Sequence, residues 1–234
     1  MNMQLMGLDI GTSGCKAVLF DQDGTLLAKA SREYAVDFPQ PSWAEQNIEQ
    51  VWVLAQEAMR EAIALARINQ VAAIGLSVHG EAVTPVDQHG QALRPTILGM
   101  DTRTAEQNAW LRERFGAEHL FGITGMPIHT VNTLPKLLWL KQHEPEIWQQ
   151  ADRFLLVEDF LINKMTGRAA ISRCLASRTQ LYDLRNNTWS EEILSAIGLW
   201  PSRLADLCPS GTAIGELRES IARDLGLVKA PLIV

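Results

Sequence analysis

Asp9-Ile-Gly-Thr-Ser-Gly-Cys-Lys16 decides how the chain is read. It lies between two short apolar runs, residues 4–10 and 15–20, each of strand length. No helical pattern follows it, and its spacing is not that of the Gly-x-x-x-x-Gly-Lys-Ser/Thr phosphate loop. The turn still suits an anion. Gly11 permits close backbone approach, successive amides around Thr12 to Gly14 can form a nest, and the Thr12 and Ser13 hydroxyls add donors. Asp9 ends a strand, where its carboxylate can hold a Mg²⁺ or one of its waters, and Lys16 adds positive charge. The same residue types also describe a plain hairpin in which Asp9 and Thr12 satisfy turn amides.

Outward from this turn, Asp21-Gln-Asp-Gly24 reads as a second turn and residues 25–34 as a third strand, so the chain opens as an antiparallel three-stranded unit. A Pro-rich loop, Pro39-Gln-Pro-Ser-Trp43, leads into residues 47–68. There Ile48, Val51, Trp52, Ala55, Met59, Ala62, Ile63 and Ala66 recur at helical spacing. Residues 71–78 are apolar throughout, as a buried parallel strand is. Residues 83–86 and 93–98, joined by Asp87-Gln-His-Gly90, predict another hairpin. Helices are expected over 103–115 and 134–143, and from Pro145 onward. A strand over 154–157 and a helix over 158–165 closed by Gly167 follow, then a helix over 189–197 closed by Gly198. The pattern is α/β: a mixed sheet with an antiparallel hairpin start and flanking helices. Pro231-Leu-Ile-Val234 reads as the start of a strand. A domain rarely stops inside such a run, so more chain is expected after it.

Two further clusters carry chemistry. Ser77-Val-His-Gly-Glu-Ala82 follows the apolar strand, and polar groups past the carboxyl end of a strand are where open α/β sheets place ligands. His79 and Glu81 can each hydrogen-bond hydroxyls, while His79 can equally cap its own loop. Ile97-Leu-Gly-Met-Asp-Thr-Arg-Thr104 holds Asp101 and Arg103; a helix-start ion pair from Arg103 to Glu106 is the simpler use of the arginine. The five histidines lack metal-ligand spacing. Cys15, Cys174 and Cys208 form no Cys-x-x-Cys pair, and Cys174 and Cys208 read as plain buried thiols in a reducing cytoplasm.

The 234 residues are 47% hydrophobic and 21% charged, enough to bury a full core. A formal net charge of −6 argues against a general nucleic-acid or anionic-membrane binder, though not against a local anion site. No apolar run reaches membrane-spanning length, and the first residues lack the basic start of a signal peptide.

Asp9-x-Gly-Thr-x-x-x-Lys16-Ala-Val with its following strand, turn and strand resembles the first phosphate segment of the actin, sugar kinase and chaperone ATPase superfamily. Within it, the chain resembles the N-terminal lobe of the FGGY carbohydrate kinases. Pro41-Ser-Trp-Ala-Glu-Gln46 matches that family's Pro-x-Trp-x-Glu-Gln segment. Residues 133–143 fit its first signature, with Val131 the one departure. Met165-Thr-Gly167, Ala176-Ser177 with Thr179, and Leu181-Tyr-Asp183 also match. The resemblance covers essentially the whole chain. It implies an actin-like, ribonuclease H-like ATPase fold and residues 1–234 as one lobe. It also implies a kinase that uses ATP and Mg²⁺ to phosphorylate a sugar or polyol hydroxyl. Asp9, Gly11, Thr12, Ser13 and Lys16 would then serve the nucleotide, with Asp9 on the metal. Either His79 or Glu81, with Asp101, would read sugar hydroxyls, and Arg103 would support them. The general base, an Asp in a Gly-rich run, would lie beyond Val234 in a C-terminal lobe with the adenine pocket. That lobe is the implied partner, and a homodimer stays open. Gly99 replaces the family's Trp, and Ser172 stands where many relatives have Asp. A non-catalytic sugar- or nucleotide-binding module is the alternative. An actin-like structural protein has no need of loops such as 79–81 and 101–103.

Overall fold

The protein is described by a computed structural model covering residues 3–234. Three antiparallel strands open the chain: β1 Gln4–Ile10, β2 Gly14–Asp21 and β3 Leu26–Glu33. A two-residue strand, β4 Glu45–Gln46, precedes the long helix α1 Ile48–Ala66, and β5 Ala73–Val78 follows it. Because β5 returns through a helix, it runs parallel to β1, with Asp9 beside Ser77 and Ile10 beside Val78. Much later β14 Leu232–Ile233 pairs parallel with β5, and β13 Gly215–Glu216 pairs antiparallel with β14. The result is a six-stranded mixed sheet in the order β13-β14-β5-β1-β2-β3. The expected strand at Pro231-Leu-Ile-Val234 therefore docks in the sheet.

Alternation dictates which sheet face is covered. Met6, Leu8 and Ile10 of β1 and Cys15, Ala17 and Leu19 of β2 are buried on one face. Against it α1 lays Ile48, Val51, Trp52, Ala55, Ala58, Met59, Ala62 and Ile63, the stripe its spacing predicts. Asn47 starts α1 by accepting a hydrogen bond from the Gln50 amide, and Arg67, at φ 53°, ends it in the left-handed region.

Between β5 and β14 the chain builds a second layer. It contains β6 Thr84–Val86, β7 Thr96–Ile97, α2 Ala105–Phe115, α3 Ala117–Thr124, α4 Thr133–His143, α5 Pro145–Gln150, β8 Arg153–Leu155 and α6 Val157–Thr166. It goes on through β9 Ala170–Ser172, α7 Arg173–Ser177, β10 Tyr182–Asp183, β11 Thr188–Trp189, α8 Glu191–Ile197, β12 Asp206–Cys208 and α9 Glu219–Asp224.

Three expectations are corrected here. The predicted 83–98 hairpin keeps its turn, where the Asp87 carboxylate accepts the His89 and Gln91 amides at 2.8 Å. Its strands, however, find other partners, β6 with β8 and β7 with β4. The two still meet directly, through bridges at Val83 to Ile97 and Val86 to Ala92, the Leu93 amide donating to Pro85 O at 2.9 Å and the Thr84 and Thr96 hydroxyls 2.5 Å apart, but not as a continuous ladder. Pro85 and Pro95 remove two amides from any longer ladder. Trp189 belongs to β11, because the Ser190 hydroxyl caps the next helix by accepting from the Ile193 amide. Cys174 is exposed on short α7, and Cys208 is half-buried with its thiol donating to Ile171 O, so neither is the buried thiol expected. Trp139 and Trp148 do lie in the core. No helix among the described residues is long and apolar enough to cross a membrane.

Candidate functional site

The hairpin between β1 and β2 is locked from several sides. The Gly11 amide donates to Gly14 O at 2.9 Å, Tyr34 Oη to Gly11 O at 2.8 Å, and Gln46 Nε2 to Thr12 O at 2.9 Å. A Cβ on Gly14 would fall 2.8 Å from Arg32 O, so only glycine fits there. Burial pushes the Tyr34 phenol well up, which keeps it a donor. The Thr12 and Ser13 amides donate to no protein acceptor among the described residues. The Gly11 amide is spent within the turn, so the free donors are those of Thr12 and Ser13 together with their hydroxyls. Asp9 is exposed, receives a hydrogen bond from Ser77 Oγ at 3.0 Å and sits beside Lys16 across the ladder. Asp9, Ser13, Lys16 and Tyr34 line an open hollow of about 810 Å³. Burial raises the Cys15 thiol, which leaves it inert in this turn.

The loop after β5 lies next to this turn, and the His79 amide donates to Ile10 O at 3.1 Å. Burial pulls the imidazole below its ordinary range, so it is neutral near pH 7, and its Nε2 is buried without a partner. Glu81 has φ 62°, rare for a residue with a side chain, and its carboxylate is held by Arg178, Nε at 2.5 Å. Strain of this kind concentrates at sites whose surroundings over-determine it.

The 97–104 loop packs behind Glu81. A Cβ on Gly99 would lie 3.6 Å from Gly80 O and 3.8 Å from both Glu81 Cβ and Val131 Cγ2, ordinary contact distances. Asp101 is fully buried. Its Oδ2 accepts the Ala44 amide at 2.6 Å and Arg103 at 2.7 Å, and its Oδ1 accepts the Arg103 amide at 2.9 Å. Arg103 also bonds Glu45 at 2.8 Å and lies 3.7 Å over the Trp43 ring, so the simpler pairing with Glu106 is not the one formed. Arg94 completes the cluster on Glu45 at 2.5 Å. Buried charges are tolerated because each is paired and hydrogen-bonded.

The structure thus gathers Asp9, Gly11, Thr12, Ser13 and Lys16 at one turn and His79 and Glu81 at the adjoining loop. Asp101 and Arg103 stand behind them as a closed ion-pair frame. Residue-level reading missed Arg178, Glu45, Gln46 and Lys136. Trp43 through Gln46 were visible only as a motif without roles; Trp43 and Glu45 both engage Arg103, the Ala44 amide engages Asp101 and Gln46 engages Thr12 O. Ser172 caps α7 by accepting from the Leu175 amide, a task an Asp performs equally well.

The profile of the FGGY family of carbohydrate kinases, N-terminal domain, matches residues 4–234. A xylulose kinase of Klebsiella pneumoniae is 34% identical over 218 residues, covering 93% of this chain and 45% of that protein. The crystal structure of a xyloylose kinase from Brucella ovis superposes with TM-score 0.93 at 30% identity, over 99% of this chain and 48% of that one. Gluconate kinase from Lactobacillus acidophilus shares the fold, with TM-score 0.94 at 23% identity over 100% of this chain and 47% of that one. The chain spans about half the length of the relatives it matches. It belongs to the FGGY family of carbohydrate kinases, whose N-terminal domain it represents.

Proposed function

We propose that residues 1–234 form the N-terminal lobe of an ATP-dependent kinase that phosphorylates a sugar or polyol hydroxyl. The observation that carries this reading is adjacency. A turn with two unpartnered amides and an exposed Asp9 stands beside a loop presenting His79 and Glu81, and the parallel pairing of β1 with β5 sets them side by side. Phosphoryl transfer needs little more than positioned oxygens and compensated charge. The Thr12 and Ser13 amides and hydroxyls and the Lys16 ammonium fit the γ-phosphate side. The exposed Asp9 carboxylate beside the Ser77 hydroxyl has the hard oxygen chemistry that suits Mg²⁺, which when bound neutralises phosphate charge. Neutral His79 and the Arg178-anchored Glu81 read the acceptor hydroxyls. Asp101 and Arg103 brace the 97–104 loop against Ala44 and Glu45, and any hydroxyl reaching Asp101 shares oxygens already engaged by protein donors. The general base and adenine site belong to a second lobe.

A coupled ADP-release assay on the two-lobe protein with a panel of ketoses, polyols and aldonates tests this. Sugar-dependent turnover is expected, with a ketopentose the first candidate because the relative from Klebsiella pneumoniae is a xylulose kinase. Asp9→Ala should lower turnover by about 10²-fold or more with thermal melting nearly unchanged. No turnover with any member, or equal loss of activity and stability in Asp9→Ala, overturns the reading.

A further inference from the structure

The loop leading into α4 lies against both substrate loops. Thr133 Oγ1 donates to Glu81 O at 3.3 Å, and Val131 approaches the position a Gly99 side chain would take. Three successive carbonyls of this loop turn to one point. Lys136 Nζ donates to Thr130 O at 3.1 Å, Val131 O at 2.5 Å and Asn132 O at 3.1 Å. Lys136 is completely buried and forms no salt bridge with any described residue. Burying an ammonium without a carboxylate partner is unfavourable, and an apolar side chain of equal length would occupy the same place without that cost. What an apolar chain could not do is gather the three carbonyls, those of Thr130 and Val131, which precede α4, and that of Asn132, its N-cap.

We propose that Lys136 is a positioning residue of the substrate pocket: its ammonium draws the 130–132 carbonyls together and holds this loop against Gly99 and Glu81, which sets the pocket's width. The inference rests on the kinase reading above. The charged groups around the ammonium are Asp101 and Glu81, which favour its proton, and Arg103, which opposes it; Arg103 is itself held by Glu45 and Glu81 by Arg178. On the loop itself, His129 Nδ1 accepts the Val131 amide. Burial, the dominant influence, pulls the ammonium down from its ordinary 10.5 to about 7. Between those values the unfolded chain keeps the proton and the folded protein does not. This group's contribution to folding stability therefore rises with pH over that window, while its hold on the carbonyls weakens. Stability and pocket order move in opposite directions, which separates a positioning role from a merely structural one.

The test uses the two-lobe enzyme. Lys136→Met should raise KM for the sugar about tenfold, with KM for ATP within about twofold of wild type. Where that variant does not fold, the wild type decides. Its sugar KM should rise between about pH 6 and pH 9 with the ATP KM flat over the same range. A folded Lys136→Met with unchanged sugar KM, or with both KM values raised alike, overturns the proposal, as does a flat sugar KM in the wild type when the variant is lost. An active wild type with any of these results leaves the kinase reading intact. A wild type inactive on every sugar overturns that reading and this proposal with it.

Discussion

Gly99 stands where the resemblance to the family leads one to expect a Trp, and its neighbours say what a glycine does there. With 3.6 to 3.8 Å from a Cβ to Gly80 O, Glu81 Cβ and Val131 Cγ2, the position borders the loop that carries Glu81. An indole added here would extend from that wall. Gly99→Trp should narrow the accepted substrates, costing about 1–3 kcal/mol against the larger ones. Asp101→Ala should damage all of them alike and lower thermal stability too, because it leaves Arg103 buried with Glu45 as its one carboxylate partner. An unchanged substrate profile in Gly99→Trp would remove the residue from the pocket wall. Part of this scale was readable: the turn at Asp9 follows from its residue types between two strands and the loop of His79 and Glu81 from its place past a strand end, whereas the place of Gly99 came only from the resemblance. Lys136 and Arg178 were not readable, because a charged residue on an amphipathic helix or short loop looks solvated until its neighbours are known.

The elements that were legible are those with a long period to read. α1 has eight apolar positions in register and a capping residue, and it appears within a residue or two of its expected limits. Asn47→Ala removes the acceptor for the Gln50 amide and should cost about 1 kcal/mol. For a chain of this size that is a fall in melting temperature of about 2–4 °C, readable by calorimetry. No change would mean the cap contributes nothing beyond the packing of the apolar stripe. The short pieces escaped for an equally physical reason. α3, α7 and α9 have eight, five and six residues, too few for a stripe to repeat, and two-residue strands such as β4 and β7 are defined by their partner rather than by their own pattern. The 83–98 segment shows the rule most clearly, since local turn chemistry was right and the distant partners were not legible.

At the scale of the whole molecule, the antiparallel hairpin start and a mixed sheet were foreseeable from strand spacing, whereas the strand order and the second layer between β5 and β14 rest on long-range contacts that no local pattern encodes. On the proposed reading the general base lies in the second lobe, and loss of a general base typically lowers turnover by about 10² to 10⁴. The chain alone should show no sugar-dependent ADP release in an assay where the two-lobe protein is active. Robust turnover by the isolated chain would mean that the base lies within it.

The segment Trp43 to Gln46 has a consequence for anyone redesigning this protein. Trp43 stacks on Arg103, the Ala44 amide holds Asp101, Glu45 binds Arg103 and Arg94, and Gln46 ties down the carbonyl of Thr12. Four consecutive residues are thus bolted to two different loops. Substitution effects add only when sites share no partners. Retuning the 97–104 loop and retuning the phosphate turn are therefore one engineering problem, and libraries that vary the two independently will find effects that do not add, coupled through a single tetrapeptide.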